Sequence, residues 1–187
     1  MTATVVVLAG GTSVRFGADK LAAPLWGTTV LDRTLAGMPA GWPVVCVGPG
    51  RTTVRDVLWT REEPPGGGPL AGIAAGARLA ASAVTVVVAG DMPGAGAAVP
   101  ALVAALVAAP DDVAAVVGTD ASGHANPLLA AYRTLALRRA LPAEPRDRAA
   151  RTLLRALPHR ALAVDGPAAA DVDTREALED VRRRLGP

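Results

Sequence analysis

Apolar residues in this chain come in short unbroken runs rather than in alternation. The first, Thr4-Val5-Val6-Val7-Leu8, stops at Ala9-Gly10-Gly11. An apolar, β-branched run ending at glycine reads as a strand buried on both faces and followed by a loop. Residues 43–47 repeat the pattern and close on Gly48-Pro49-Gly50. Residues 84–89 repeat it most strongly and close on Gly90-Asp91-Met92-Pro93. Residues 113–117, 127–132 and 161–164 are further strand candidates. Residues 54–59 alternate weakly, as a shorter strand or as an extended approach to the next loop. Helices are expected around 31–35, over 70–81, over 100–109 with proline at the start, and over 134–141 and 149–157. Residues 174–185 read as a last helix, capped by Thr174 with Glu176 in its first turn. Residues 61–69, with Pro64-Pro65-Gly66-Gly67-Gly68, carry only turn signals. Buried strands alternating with helices predict an α/β layered fold with a mostly parallel sheet. No stretch reads as a linker or a repeat, so a single domain over 1–187 is expected.

Composition narrows the class. Of 187 residues 51% are apolar, enough to bury a core without a staple. Cys46 is the one cysteine, which excludes an internal disulfide and a Cys-type zinc site. A reducing, cytoplasmic setting is the expectation. The longest charge-free run, 92–110, holds Pro93, Gly94, Gly96 and Pro100 and is mostly alanine, a poor membrane span. No basic region precedes the first apolar run, unlike a signal peptide. A net charge of +2 with 3% aromatic residues offers no stacking platform for nucleic acid. Neither a membrane nor a nucleic acid is expected as a partner. Of the 19 basic residues one alone, Lys20, is lysine. Such an arginine bias looks like GC-rich coding, and a lysine that survives it is a candidate for a place arginine cannot fill.

Ligands of an open α/β sheet bind beyond the carboxyl ends of its strands. Residues 8–20 read Leu-Ala-Gly-Gly-Thr-Ser-Val-Arg-Phe-Gly-Ala-Asp-Lys. This is neither the dinucleotide fingerprint nor a P-loop, because Ala18 and Asp19 separate Gly17 from Lys20. Glycines there let backbone N–H groups approach a phosphate, and Arg15 and Lys20 add charge; a strand-to-loop turn with solvated cations is the plainer alternative. Asp91 directly follows a buried strand, a place for a Mg²⁺ ligand or for a turn or capping aspartate. Asp171 and Asp173 would share one face of an extended segment. Asp173 reads as a second metal ligand or, with Thr174, as a helix cap.

Taken together these segments resemble the molybdenum cofactor guanylyltransferase (MobA) family, within the MobA-like NTP transferases. The resemblance rests on the loop Leu8 to Lys20, on Gly68-Pro69-Leu70-Ala71-Gly72, on Asp91-Met92-Pro93, on the segment from His124 to Tyr132, and on Asp171 to Leu178. It implies a Rossmann-like three-layer α/β/α nucleotidyltransferase fold. It implies transfer of GMP from GTP to the phosphate of molybdenum-molybdopterin, with Mg²⁺ as cofactor and release of pyrophosphate. Partners would be the cofactor's other biosynthesis proteins or the apo-molybdoenzymes. Carried onto this chain, Leu8, Ala9, Gly10 and Gly11 would meet the base and phosphates. Arg15 and Lys20 would bind the triphosphate and the leaving pyrophosphate. Gly48 stands where the family often has a polar residue, and Glu63 stands near an acidic residue that touches the nucleoside. Gly68, Pro69 and Leu70 would line the guanosine, and Asp91 and Asp173 would hold Mg²⁺.

The residues alone leave other readings open. A CTP-dependent cytidylyltransferase, a guanylyltransferase for another phosphate acceptor, and a GTP- or cofactor-binding accessory protein without turnover share these features. Arg146, Arg148 and Arg151 could meet an anionic acceptor or form a solvated face. His124, in a polar loop, reads as solvated, and Cys46, inside an apolar run, as a buried small hydrophobe.

Overall fold

A computed structural model describes residues 2–11, 15–120 and 122–186. Strand β1 (Thr4–Leu8) leads through a 3₁₀ turn (Lys20–Ala22) and a small hairpin, β2 (Pro24–Leu25) and β3 (Thr28–Thr29), into helix α1 (Val30–Gly37). Then follow β4 (Val44–Val47), β5 (Leu58–Thr60), α2 (Pro69–Leu79), β6 (Val84–Ala89) and α3 (Val99–Ala108). The chain continues with β7 (Ala115–Thr119), β8 (Ala125–Arg133), α4 (Thr134–Ala140), α5 (Thr152–Ala156), β9 (His159–Ala163), α6 (Gly166–Ala169) and α7 (Arg175–Leu185). Seven strands form one sheet in the order β5-β4-β1-β6-β8-β7-β9. Every neighbour pair is parallel except at β8, which runs antiparallel to both β6 and β7.

The unbroken apolar runs are explained by two covered faces. On one, Val5, Val7, Val84, Val86 and Val88 pack with Leu31 and Leu35 of α1 and with Leu102 and Leu106 of α3. On the other, Val87 and Tyr132 pack with Leu70 and Ile73 of α2, Leu137 of α4 and Leu153 of α5. Val6, Val45 and Val47 meet Ala75 of α2 on this second face. Successive side chains of a strand point to opposite faces, so a strand covered on both must be apolar throughout. Each buried Val or Leu stabilises the fold by roughly 1.5–3 kcal/mol before chain entropy is counted. Helix α2 lies so close to the sheet that a Cβ on Gly76 would stand 2.4 Å from Val6 Cγ1.

Several expected elements differ. The strand expected over 113–117 runs two residues later, as β7. Of residues 54–59 only the end enters the sheet, as β5, and Val54 is exposed. The helix expected over 149–157 narrows to α5, because Thr152, Leu153 and Leu154 bond back three residues, to Ala149, Ala150 and Arg151. Strand β9 begins at His159, earlier than its apolar residues suggest, because an exposed edge strand tolerates His159 and Arg160.

Arginines close three helices. Arg55 donates to the carbonyl of Leu35 in the last turn of α1 and to those of Met38 and Trp42 beyond it. Arg138 donates to Ala77, Arg78 and Ala80 at the end of α2. Arg133 donates to Ala109, Pro110 and Val113 beyond α3. A guanidinium carries several donors in a fixed fork, which suits the unpaired carbonyls and negative end of a helix dipole.

Candidate active site

The carboxyl ends of β1, β4 and β6 open into one cavity of about 540 Å³. Leu8, Val47 and Ala89 form its floor, the last residue of each strand. Gly10, Gly11, Arg15, Lys20 and Leu21 come from the segment after β1, and Glu62 and Gly66 from the loop before α2. Gly68, Pro69 and Gly72 bring the start of α2, and Asp91, Leu128 and Asp173 complete the wall. Gly68 is the N-cap of α2 and supplies no side chain to the first helical N–H groups. Such uncapped groups at the positive end of a helix suit an anion.

Lys20 is the centre of charge. Its Nζ donates to Asp173 Oδ1 at 2.7 Å and also contacts the Asp91 carboxylate. Arg15 Nη1 reaches the other oxygen, Asp173 Oδ2, at 3.0 Å. The Lys20 side chain is 19% exposed and that of Arg15 79%, so the lysine lies inside and the arginine at the rim. Burial works against the Lys20 ammonium, but its hydrogen bonds to Asp173 and Asp91 and their charges outweigh it and hold the Lys20 pKa above its ordinary value. The hydrogen bond from Lys20 in turn holds Asp173 below the usual carboxylate range. Burial, and then the charges of Asp91 and Asp173, push Asp171 up.

Segments far apart in sequence meet here because the backbone clips them together: Val172 N donates to the carbonyl of Asp91 at 2.9 Å. Helix α7 holds that segment in place. Thr174 caps it by accepting from Ala177 N, and Leu178 and Val181 pack with Phe16, Leu25 and Val30. The segment after β1 and the segment before α7 therefore share one small core, which turns Lys20 and Asp173 toward each other.

The residues singled out from sequence are distributed unevenly. Leu8, Gly10, Gly11, Arg15, Lys20, Gly68, Pro69, Asp91 and Asp173 line the cavity. Ala9 is buried, its N–H spent on the Val47 carbonyl at 2.8 Å. Leu70 is fully buried with the α2 core, next to the lining Pro69 but outside the lining itself. Gly48 lies outside the lining at φ +152°, and a Cβ there would stand 2.5 Å from the Ala9 carbonyl oxygen. Glycine at 48 thus answers to the close approach of the loops after β1 and β4. Glu63 is exposed outside the lining, and its neighbour Glu62 lines the cavity instead, with Oε1 accepting from Gly66 N at 3.0 Å. Glu62 is not distinguishable from Glu63 by residue type. Val47 and Ala89 were findable as strand ends, whereas Leu128 arrives from antiparallel β8. Thr12, Ser13 and Val14, within the glycine loop, lie outside the described residues. Arg148 and Arg151 line an adjoining groove of about 510 Å³ that shares Gly68, Pro69 and Leu128 with the cavity. His124 is exposed, and Cys46 is buried within β4.

Residues 5–161 match the model of the MobA-like NTP transferase domain. The chain belongs to this family. Over 140 residues, 71% of its length, it is 35% identical to a protein of Chloroflexus aggregans (strain MD-66 / DSM 9485) named probable molybdenum cofactor guanylyltransferase. That alignment spans 66% of the relative, just under two thirds. The fold is similar to that of molybdopterin-guanine dinucleotide biosynthesis protein A from Archaeoglobus fulgidus, with a TM-score of 0.67, 21% identity, and 97% and 98% of the two chains covered. It is similar also to a Mycobacterium tuberculosis H37Rv protein solved in complex with manganese, with a TM-score of 0.68, 23% identity, and 97% and 98% covered.

The donor set of this MobA-like site suits a hard divalent cation. Asp91 and Asp173 already meet at one positive charge, the Lys20 ammonium. Mg²⁺ takes one or two carboxylates alongside phosphates and waters. Among the described residues no three His, Cys, Asp or Glu side chains gather as a closed metal cage. Also among them, no helix is long and apolar enough to cross a membrane.

Proposed function

We propose that the protein transfers GMP from GTP to the phosphate of molybdenum-molybdopterin, forming the guanine dinucleotide cofactor and releasing pyrophosphate. The observation that carries this reading is the cluster of Lys20, Arg15, Asp91 and Asp173 at the strand ends of a MobA-like chain. An oxygen of the acceptor phosphate forms a bond to the α-phosphorus of GTP. The bond from that phosphorus to the α–β bridging oxygen breaks, and its electron pair leaves with pyrophosphate. The acceptor is ionised at neutral pH, so the step needs positioning and charge neutralisation more than a base. Lys20 and Arg15 supply that neutralisation, directed at the charge that grows on the leaving group. Mg²⁺, held by Asp91 and Asp173, would add charge neutralisation on the phosphates when bound. The open start of α2 offers backbone N–H groups to the same anion.

Glu62 in the cavity wall supports guanine rather than cytosine as the base. Guanine presents N1–H and its amino group side by side, a pair that one carboxylate accepts together, and cytosine presents only its amino group. Arg148 and Arg151 give the adjoining groove the charge that a phosphorylated pterin requires. The test is direct. The protein is incubated with Mg²⁺, molybdenum-molybdopterin and either GTP or CTP, and pyrophosphate and dinucleotide are measured. Guanine dinucleotide is the expected product. Its absence with a competent acceptor overturns the proposal, and preference for CTP moves it to the cytidylyl reaction.

A further inference from the structure

We propose that Arg51 is a positioning residue for Lys20 and acts through Asp19. Asp19 divides its two carboxylate oxygens between two loops. Oδ1 accepts from Leu21 N at 3.1 Å and caps the 3₁₀ turn that begins at Lys20. Oδ2 accepts from Arg51 Nη1 at 2.8 Å. Arg51 follows the Gly48-Pro49-Gly50 turn after β4, so this pair ties the lysine's turn to the end of a core strand. The Arg51 side chain is 25% exposed and that of Asp19 50%, so the pair lies at the surface with the guanidinium its more covered partner. Arg51 is not part of the cavity lining, whereas Lys20 is. The clasp therefore sets where the turn starts, and the turn sets where Lys20 points.

The magnitudes separate this role from a contribution to folding. A surface ion pair contributes little to stability, while a misplacement of about 1 Å at a reacting centre can slow a reaction about 100-fold. Arg51→Gln and Asp19→Asn should each lower kcat about 10- to 100-fold with KM for nucleotide moving less than about threefold. Thermal midpoints should stay within a few degrees of the parent protein. The double variant should lose no more than the worse single one, since both remove the same clasp. Arg51→Lys should recover most of the rate.

This kinetic arm rests on the proposed nucleotidyl transfer, so a second arm does without it. With one lysine in the chain, protein labelled with ¹⁵N-lysine has one side-chain ammonium resonance. Arg51→Gln should shift or broaden that resonance in the nucleotide-free protein; in Arg51→Lys, which adds a second lysine signal, the Lys20 resonance should return to its parent position. An unchanged resonance in Arg51→Gln overturns the proposal, whatever reaction the protein performs. Normal kcat in Arg51→Gln, or losses that multiply in the double variant, overturn it equally. If the resonance moves but no nucleotide is turned over, the positioning role stands and the functional reading fails.

Discussion

Lys20 and Asp173 show how much two side chains can mean once their distance is known. The lysine touches Asp91 and Asp173 together and lies deeper in the cavity than Arg15. An ammonium is a compact point charge, whereas a guanidinium is a broad planar fork. Lys20→Arg should therefore lower transfer about 10- to 100-fold, as expected for misplacement at a reacting centre, with little change in thermal midpoint. Steady-state kinetics beside a melting curve checks this, and full activity in the variant would return the lysine to an accident of coding. Cys46 offers a contrast in the same core. Burial pushes its thiol up to about 12 from 9.0. A thiol reacts as thiolate, so at pH 8 the native protein should react with a thiol reagent far more slowly than the unfolded chain. The same shift makes stability fall as pH rises from 9 toward 12, because there the native state keeps a proton the unfolded chain has lost. Reaction in the native state at the unfolded rate would contradict the burial of this strand.

At the scale of elements, the arginine bias acquires a structural use. Arg55, Arg133 and Arg138 each place a guanidinium on the carbonyls that end a different helix. Arg138 is the best placed of them, with Nε on Ala77 at 2.9 Å and Nη2 on Ala80 at 2.7 Å. Charge-assisted bonds of this kind contribute about 1.5–3 kcal/mol when their acceptors would otherwise lose a partner. Arg138→Ala should thus cost about 2 kcal/mol in denaturant unfolding, and Arg138→Lys should recover part of it. Loss of less than about 0.5 kcal/mol would show that water replaces the guanidinium at the end of α2 without penalty. Element boundaries are legible where an apolar run stops at glycine, as in β1 and β6. They are less legible at β5, α5 and β9, where one side meets solvent and polar residues carry no signal of pairing.

In the molecule as a whole, the decisive event is a long-range one. Helix α7 and the Val172–Asp91 backbone bond bring a late carboxylate to an early lysine. Lys20 thereby sits between the two carboxylates suited to a cation. Any divalent ion that enters must compete with this ammonium. A nucleoside triphosphate would offer Lys20 another anion and relieve that competition. The nucleotide-free protein should accordingly bind Mn²⁺ weakly, as read from the free-ion signal in electron paramagnetic resonance. Lys20→Gln should bind it at least about tenfold more tightly without nucleotide, a difference of roughly 1.4 kcal/mol. Equal affinity in the two proteins would mean that Lys20 does not compete for the carboxylates.

Several features were legible along the chain because they are local. Unbroken apolar runs ending in glycine marked the buried strands, Thr174 marked its helix, and the strand-end rule directed attention to Arg15, Lys20 and Asp91. Other features depend on contacts that sequence distance hides. Choosing Glu62 over Glu63 as a wall of the cavity needs the course of a loop, since the two are chemically alike. The burial of Leu70 needs the face of α2, and the need for glycine at 48 is explained by the close carbonyl of Ala9. The sequence by itself determined an α/β chain with a glycine-rich first loop that carries Arg15 and Lys20, because strand burial and glycine turns are written in neighbouring residues. Only the tertiary structure decided that Lys20, Asp91 and Asp173 form one charged cluster and that Arg51 lies behind it, because ion pairing depends on distance in space and these partners come from separate loops.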